Sequence, residues 1–448
     1  MSIDRRAGLF AAAIATLAAA GCGGSDAADT TTAAPPQTLT PPAGTPTPAP
    51  ADPAPSPGAP APGPSPAPTP APPQNPSTPT PSADACPAAT GRTLLVGPGK
   101  TYTVPSAAAA AAQAGDRVLI TPGDYRGDVA TWRAANLVIC GDGGRARLFA
   151  DGKDAQGKGI WVIAPSNAAT TTIVNVEFHD AKVPDKNGAG IRHESGHLVL
   201  RNTGFYDNED GILGGGGPVT VTIERSEFAR NGFGDGFSHN IYIGGIDRLH
   251  VIASYFHEAK IGHNLKSRAK ENVIENSYFV DGANGTSSYL LDFPDGGIVF
   301  MRGNLLHKGP KAENTTAVAY GAERNIWPTN TVTLIHNTVV NTMGRGTFIS
   351  FAAYTQQATL TANLFAGNAA LSSGIAPALL AQQNDLMVSE GNVPGAASGQ
   401  FWPIAAIQPQ LALASPADTG YVADSPQPYM LRTLAAGKRM IGALQSAP

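Results

Sequence analysis

The sequence is poor in charge: only 14% of its 448 residues are Asp, Glu, Lys or Arg, and the formal net charge is −4. Nucleic-acid binding needs a basic patch or stripe, so we expect no nucleic-acid partner. Cysteine is scarce too, with only Cys22, Cys86 and Cys140, and a zinc framework needs closely spaced pairs. Glycine is abundant at 51 residues, which indicates a β-rich fold with many turns.

The three cysteines fall into two groups. Cys22 ends an apolar N-terminal segment, which leaves Cys86 and Cys140 as a pair. We predict that this pair forms a disulfide, which requires an oxidising compartment. The alternative is two separate thiols, one of them buried.

The N-terminal segment has the pattern of a signal peptide over residues 1–22. Arg5 and Arg6 precede the apolar run Leu9–Ala20, which is too short to span a bilayer. Its end, Ala-Gly-Cys22, resembles a bacterial lipobox, in which the cysteine becomes the lipidated first residue. That resemblance implies a membrane anchor and a location at the outer membrane. Ordinary cleavage, giving a secreted or periplasmic protein, is the alternative.

A proline-rich stretch follows the predicted anchor. Residues 35–81 hold 21 of the chain's 39 prolines and a single charged residue, Asp52. Such a composition cannot bury a core and favours an extended polyproline-type spacer. The sequence therefore predicts a disordered linker over residues 23–85 and one folded domain over residues 86–448.

The folded domain is predicted to start with two strands that flank one short helix. The alanine-rich segment 105–115 predicts that helix, with Ser106 as N-cap and Gly115 just past its end. At the other end of the chain, the Pro/Ala/Gln-rich sequence after Ala370 predicts an irregular C-terminal cap. A cap is needed because a final strand otherwise exposes an unpaired edge.

A long-period repeat runs between these ends. An apolar residue is followed five positions later by Phe or an aliphatic residue, and successive copies lie 23 to 34 residues apart. The pairs are Ile173/Phe178, Leu200/Phe205, Ile223/Phe228, Val251/Phe256, Ile274/Phe279, Phe300/Leu305, Leu334/Val339 and Leu360/Phe365. A coil of this length holds about three short strands, and stacked coils bury a continuous core.

The repeat period, the Asn-x-x-Phe corners (Asn175 to Phe178 is one) and the alanine-rich start resemble right-handed parallel β-helix proteins of the pectin/pectate-lyase-like superfamily. The resemblance covers residues 92–445. It implies an all-β, single-stranded right-handed parallel β-helix, a solenoid with a short N-terminal capping helix. That superfamily includes lyases, hydrolases, epimerases and noncatalytic adhesins, so the fold alone does not fix the function.

Reactive side chains concentrate between Gly236 and Gly297. Aligning the coils predicts which residues face inward: Ile191, Ile212, Ile241, Leu265, Leu290 and Val318. Because side chains alternate along a strand, their neighbours are predicted to face outward: Arg192, Leu213, Tyr242, Lys266, Leu291 and Ala319. A slip of one residue would reverse the two faces.

The residue types in this stretch suit β-elimination on an acidic, uronate-containing polysaccharide. The enzyme must neutralise the uronate carboxylate, remove the neighbouring proton and assist the leaving oxygen. We assign Lys266 as candidate base and Arg268 as carboxylate clamp. Tyr242 or His239 is the candidate acid, with His263 nearby. These assignments come from side-chain chemistry, since no family motif matches residue for residue.

Further residues are candidates for substrate binding: Arg192, Asn240, Asn264, Asp292, Tyr320 and Glu323. Each has a structural alternative. The two asparagines recur at one coil position and suit a buried ladder, and the two histidines suit a stacked one. Asp292 suits orientation of Arg268, cation binding or a buried turn. Tyr320 suits a groove wall or the core.

Several other properties are expected. No cluster of three or more acids at a fixed spacing is present, so no metal site is assigned, although a calcium ion remains possible. The Asp pair and Gly-His-Gly of the polygalacturonase type are absent, which disfavours hydrolysis. The alternatives to a lyase are a noncatalytic glycan-binding or envelope-scaffold protein and a uronate C5-epimerase. We expect a monomer.

Overall fold

The computed structural model describes residues 84–166, 168–413, 419–435, 437 and 439–445. The chain divides into two units, Met1–Pro70 and Ala71–Pro448, and every described residue lies in the second. The predicted signal peptide, Cys22 and all but the last two residues of the predicted linker lie outside the described residues. Of those two, Asp84 pairs with Arg225 at 2.8 Å.

The described chain winds through three long parallel sheets, which confirms the predicted all-β solenoid. The twelve-stranded sheet contains β1 (Thr93–Val96), β2 (Arg117–Ile120), β5 (Val138–Gly141), β8 (Thr170–Val174), β11 (His197–Arg201), β14 (Gly217–Glu224), β17 (Ile246–Ile252), β20 (Glu271–Glu275), β23 (Ile298–Arg302), β26 (Thr331–Ile335), β29 (Gln357–Thr361) and β32 (Leu380–Gln383).

The eleven-stranded sheet is the second face of each coil. It contains β3 (Gly123–Arg126), β6 (Ala146–Phe149), β9 (Val176–His179), β12 (Gly204–Tyr206), β15 (Glu227–Ala229), β18 (Tyr255–His257), β21 (Tyr278–Val280), β24 (Leu305–Lys308), β27 (Thr338–Asn341), β30 (Leu364–Ala366) and β33 (Leu386–Val388).

The ten-stranded sheet is the third face and carries the candidate site. It contains β4 (Ala130–Trp132), β7 (Gly159–Ile163), β10 (Ala189–His193), β13 (Asp210–Gly214), β16 (Ile241–Ile243), β19 (Leu265–Ser267), β22 (Leu291–Phe293), β25 (Thr316–Tyr320), β28 (Thr347–Phe351) and β31 (Ala370–Ser373).

The remaining elements are short. They are α1 (Pro105–Ala111), α2 (Gln408–Leu411), the antiparallel pair β34 (Ala423–Asp424) and β35 (Arg432–Thr433), and 3-10 turns at Pro377–Leu379, Glu390–Asn392, Ala396–Ser398 and Ala405–Ile407. The predicted helix is present, but it ends at Ala111 and its N-cap is Val104. Ser106 instead donates its hydroxyl and its backbone N–H to the carboxylate of Asp128, a residue of the next coil.

The corner between the twelve- and eleven-stranded sheets explains the Asn-x-x-Phe pattern. Asn175, Asn202 and Asn276 have φ of 57°, 49° and 50°, a left-handed conformation that asparagine tolerates better than most residues. Three residues later, each Phe enters the core. Phe178, Phe205, Phe228, Phe256 and Phe279 stack with ring centroids 4.5 to 5.0 Å apart.

One coil departs from the predicted register. Leu265 pairs with Leu291 rather than Leu290, and Ile274 pairs with Met301 rather than Phe300. Met301 is buried and Phe300 is only partly buried. Leu290 and Leu291 are both fully buried, so apolarity cannot tell which of them faces the core. The predicted inward Leu290 and outward Leu291 were therefore one residue out of step.

The C-terminal segment packs along the side of the solenoid. The Tyr278 hydroxyl donates to the Ser425 carbonyl at 2.9 Å, and the Tyr421 hydroxyl donates to Asn276 Oδ1 at 3.0 Å. An apolar cluster that includes Tyr278, Phe401 and Leu411 fills the space between. The segment thus covers the outer face of the eleven-stranded sheet, a place that the expectation of an end cap did not anticipate.

Cys86 and Cys140 are joined by a disulfide. Cys140 lies in β5 and is fully buried. The bond therefore ties the first described residues to the third strand of the twelve-stranded sheet. Separate thiols, the alternative considered from the sequence, do not occur here.

Candidate functional site

Outward side chains on the ten-stranded sheet form one row along the solenoid. The row is Arg192, Leu213, Tyr242, Lys266 and Asp292. The corrected register replaces the predicted Leu291 with Asp292, so a carboxylate lies beside Lys266 on the neighbouring strand. Parallel strands are about 4.8 Å apart, which puts Tyr242, Lys266 and Asp292 within reach of one ligand.

Lys266 is held between two carboxylates. Its Nζ lies 3.0 Å from Asp292 Oδ2 and 2.6 Å from Glu323 Oε1, and its side chain is 12% exposed. Burial alone would lower the pKa of Lys266, but these two carboxylates outweigh it and the pKa is raised. Lys266 is thus an ammonium ion in this state, whereas the predicted base must be neutral.

Arg268 is also fully engaged. Its Nε donates to the Tyr242 hydroxyl at 2.7 Å, and its two terminal nitrogens lie 2.5 Å from Asp295 Oδ1 and 2.5 Å from Glu323 Oε2. Burial opposes the charge, yet the hydrogen bonds to Glu323 and Tyr242 raise the pKa of Arg268. Asp295 orients Arg268, the role considered for Asp292.

Asp292 is a buried carboxylate beside Lys266. Its side chain is 3% exposed, and Oδ1 has no hydrogen-bond partner among the described residues. His263 Nε2 lies 3.4 Å from Oδ2. Burial raises the pKa of Asp292 to about 6, and the charge of Lys266 keeps it from rising further.

His239 and His263 form a stacked ladder at the edge of the ten-stranded sheet, two residues before β16 and β19 respectively. Their ring centroids are 4.7 Å apart, and Tyr289 continues the stack at 5.1 Å. Each Nδ1 accepts a backbone N–H from the next coil, from His263 and Tyr289 respectively. Burial lowers the pKa of His239 to about 3 and that of His263 well below its usual range. These neutral rings suit the structural alternative better than a catalytic acid.

Asn240 and Asn264 are fully buried, which contradicts a role in contacting substrate. Asn231 donates to Asn240 Oδ1 at 2.8 Å, and Asn240 donates to Asn264 Oδ1 at 2.7 Å. Asn264 in turn donates to Asp281 at 3.4 Å. The asparagines therefore bind neighbouring coils to one another, as the ladder alternative expected.

Arg192 lies at the far end of the row. It is three strand steps from Lys266, or about 14 Å at the usual strand spacing. Arg192 Nε donates to Glu194 Oε1 at 3.1 Å, and Lys158 Nζ reaches the same oxygen at 2.7 Å. Leu213 and Tyr242 occupy the row between the two charged groups.

Residues 321–330 form a long loop after β25. Glu323 is its contact with the two cations, and Trp327 donates its indole N–H to the Arg268 carbonyl at 3.1 Å. Tyr320 does not wall the groove as one prediction held, since it is 1% exposed and its hydroxyl donates to the Gly297 carbonyl at 2.6 Å.

Sequence reasoning missed Asp295. Its Oδ1 binds Arg268 and both of its oxygens bind Arg324, with distances of 2.5 to 3.0 Å. The sequence Pro294-Asp295-Gly296-Gly297 has the composition of a turn, which hid the carboxylate. Its position in the stretch richest in reactive residues was the one available signal.

Within the described residues, no group of three or more His, Cys, Asp or Glu side chains is placed to hold a metal ion. None of the helices in the described part of the chain has the length and apolar character that crossing a membrane demands. All three acids that contact Lys266 and Arg268 already have cationic partners, so a calcium ion there would need to displace one of those cations.

These features define a class: a parallel β-helix with a charged cluster on the outer face of one sheet. Residues 158–386, just over half of the chain, match the family model described as right handed beta helix region. The chain therefore belongs to the right-handed β-helix family.

Two solved structures are similar to this chain. The crystal structure of pectate lyase Pel9A is 15% identical with a TM-score of 0.47, over 80% of this chain and 96% of that one. ORF18 of Geobacillus virus E2 is 13% identical with a TM-score of 0.40, over 61% and 52% of the two chains. Among curated proteins, no sequence matches this chain.

Proposed function

We propose that the outer face of the ten-stranded sheet binds an acidic, uronate-containing polysaccharide and cleaves it by β-elimination. One observation carries the proposal. Two cations, Lys266 in β19 and Arg268 directly after that strand, have side chains 12% and 13% exposed and share one exposed carboxylate. Such a pair suits a ligand carboxylate, because charge-assisted hydrogen bonds are strong where water is largely excluded.

The chemistry divides among three side chains. Arg268 neutralises the uronate carboxylate, which makes the C5 proton acidic. Lys266 removes that proton, the C4–O bond breaks, and a double bond forms between C4 and C5. Tyr242 gives its hydroxyl proton to the leaving oxygen, for which it is free because Arg268 is the donor in their hydrogen bond. Burial favours the neutral form of Lys266, the form that removes the proton.

The protein's location is also part of the proposal. A lipid on Cys22 would anchor the protein at the outer membrane. Without lipidation the protein would be secreted or periplasmic. The disulfide between Cys86 and Cys140 is consistent with any of these oxidising compartments.

A noncatalytic glycan-binding role is the second candidate. The raised pKa of Lys266 favours it, because a lysine that stays protonated binds carboxylates well but cannot accept a proton. Both functions use the same binding face. They differ in whether the bound polysaccharide is cleaved.

Absorbance of the conjugated C4–C5 double bond tests the proposal. The mature domain is mixed with a panel of uronate polymers, with and without chelator, beside a Lys266→Ala/Arg268→Ala double variant. Rising absorbance that the double variant abolishes supports a lyase, and its loss with chelator indicates a calcium requirement. Flat traces with retained polymer binding support the noncatalytic role, or epimerisation if NMR shows inverted C5 centres. Flat traces without binding overturn both functions.

A further inference from the structure

Glu323 differs from the other carboxylates of the charged cluster in its exposure. Its side chain is 42% exposed, whereas those of Asp292 and Asp295 are each 3% exposed. Asp292 and Asp295 contact Lys266 and Arg268 from the buried side. Glu323 contacts both cations at once, at 2.6 and 2.5 Å, from the solvent side. It therefore covers the approach that any ligand anion must use.

The loop that carries Glu323 is anchored independently of this side chain. The backbone N–H groups of Glu323 and Arg324 both donate to the Pro294 carbonyl at 3.0 Å. Arg324 binds Asp295, and Trp327 donates to the Arg268 carbonyl. Rotation of the Glu323 side chain would thus free both cations without moving the loop.

We propose that Glu323 is a built-in mimic of the substrate: its carboxylate occupies the position of a uronate carboxylate and must swing out before the polymer binds. This inference rests on the proposed function of the site. It adds a specificity rule, because a methyl-esterified or neutral sugar lacks the charge needed to replace Glu323. The preferred substrate is therefore a uronate polymer with free carboxylates.

Because Glu323 occupies the two cations, the apparent affinity of the protein for a uronate ligand is lowered. A ligand binds only the fraction of molecules in which Glu323 has left the cations, so removing the competing charge raises that fraction. We expect Glu323→Gln to bind a free-carboxylate oligouronate roughly tenfold more tightly, since a charge-assisted contact is replaced by a weaker neutral one. Glu323→Ala should shift affinity in the same direction.

The chain offers a matched control in Glu194. This carboxylate also bridges a lysine and an arginine, Lys158 and Arg192, at 2.7 and 3.1 Å. It lies at the far end of the row, and its two cations are more exposed, at 35% and 27%. Glu194→Gln should change the affinity less than about twofold, because an exposed bridge of this kind contributes little.

The test measures binding by calorimetry, independently of cleavage, with free-carboxylate and methyl-esterified oligouronates. The expected result is tighter binding of the free-carboxylate ligand by both Glu323 variants, no gain for the esterified ligand, and little effect of Glu194→Gln. Unchanged or weaker binding by both Glu323 variants, with wild-type binding intact, would overturn this inference alone. If neither wild-type protein nor the Glu323 variants bind any uronate, the proposed function fails with it.

Discussion

Two of the three outer faces of this solenoid, those of the eleven-stranded and ten-stranded sheets, use the same residue types differently. On the eleven-stranded sheet, Tyr278 is buried beneath the C-terminal segment and its hydroxyl donates to the Ser425 carbonyl. On the ten-stranded sheet, Tyr242 is only partly buried and accepts a hydrogen bond from Arg268. Both tyrosines alternate with core residues in a strand, so position in the coil does not distinguish them. The difference comes from the C-terminal segment, which packs over Tyr278.

The histidines of the two faces differ in the same way. Burial would lower the pKa of His257 on the eleven-stranded sheet, but hydrogen bonds to Glu227 and Glu258 outweigh it and raise that pKa. His239, at the edge of the ten-stranded sheet, has no such carboxylate pair, and burial with the charge of Lys266 lowers its pKa to about 3. Burial acts to lower the pKa of both rings, and the charges around each ring decide whether the net shift is upward or downward.

The largest predicted difference in stability is between variants of Tyr278 and Tyr242. Tyr278→Ala should lower the free energy of unfolding by about 3–5 kcal/mol, because it empties a packed site. Tyr242→Ala should cost less than about 1 kcal/mol, since its side chain is partly exposed. Denaturant unfolding of both variants measures the difference. Similar losses would mean that the C-terminal segment contributes little packing energy.

The two histidines should have opposite pH effects on stability. The contribution of His257, whose folded-state pKa is raised, is fully present below the unfolded-state pKa of 6.5 and is lost as the pH rises through the folded-state pKa. The contribution of His239 is present above 6.5 and is lost as the pH falls towards 3, by about 1.4 kcal/mol per pH unit.

Unfolding of His257→Gln and His239→Gln, each compared with wild type across this pH range, measures these contributions. The advantage of wild type over His257→Gln should shrink as the pH rises. Its advantage over His239→Gln should shrink as the pH falls. Parallel trends in the two variants would contradict the assigned charge states.

A variant of Asn240 tests whether the buried asparagine ladder acts independently of the outer face of the ten-stranded sheet. Asn240→Ala leaves Asn231 and Asn264 without one partner each, and should cost about 1–3 kcal/mol of unfolding free energy. Affinity for oligouronates, measured where the variant is still folded, should be unchanged. A loss of binding with unchanged stability would restore Asn240 as a substrate contact.

The smallest effect on stability is expected near Arg192, at the far end of the row of outward side chains on the ten-stranded sheet. Lys158→Ala removes a pair in which both side chains are about one-third exposed, at 35% and 32%. Such pairs contribute about 0–1 kcal/mol, so the free energy of unfolding should hardly change. High salt should reduce even that difference. A cost above about 2 kcal/mol would show that this face is more tightly organised than its exposure indicates.

Much of the fold was predictable, because the repeat, the Asn-x-x-Phe corners and the alanine-rich helix are local patterns with local causes. The register failed in one coil for a physical reason. Leu290 and Leu291 are both fully buried, so the usual alternation of apolar and polar residues is absent where it was needed. That single slip placed Leu291 where Asp292 lies, and it hid the ion pair with Lys266.

By itself, the sequence determined the coil period, the buried Phe residues of the core and the segment that carries Lys266 and Arg268. Each of these follows from neighbours along the chain and from which residues can be buried. Only the tertiary structure decided the partners of those cations, because Asp292, Asp295 and Glu323 reach them from other coils. It also decided what covers each face, since the C-terminal segment returns along the eleven-stranded sheet, whereas the loop 321–330 lies against the charged cluster on the ten-stranded one.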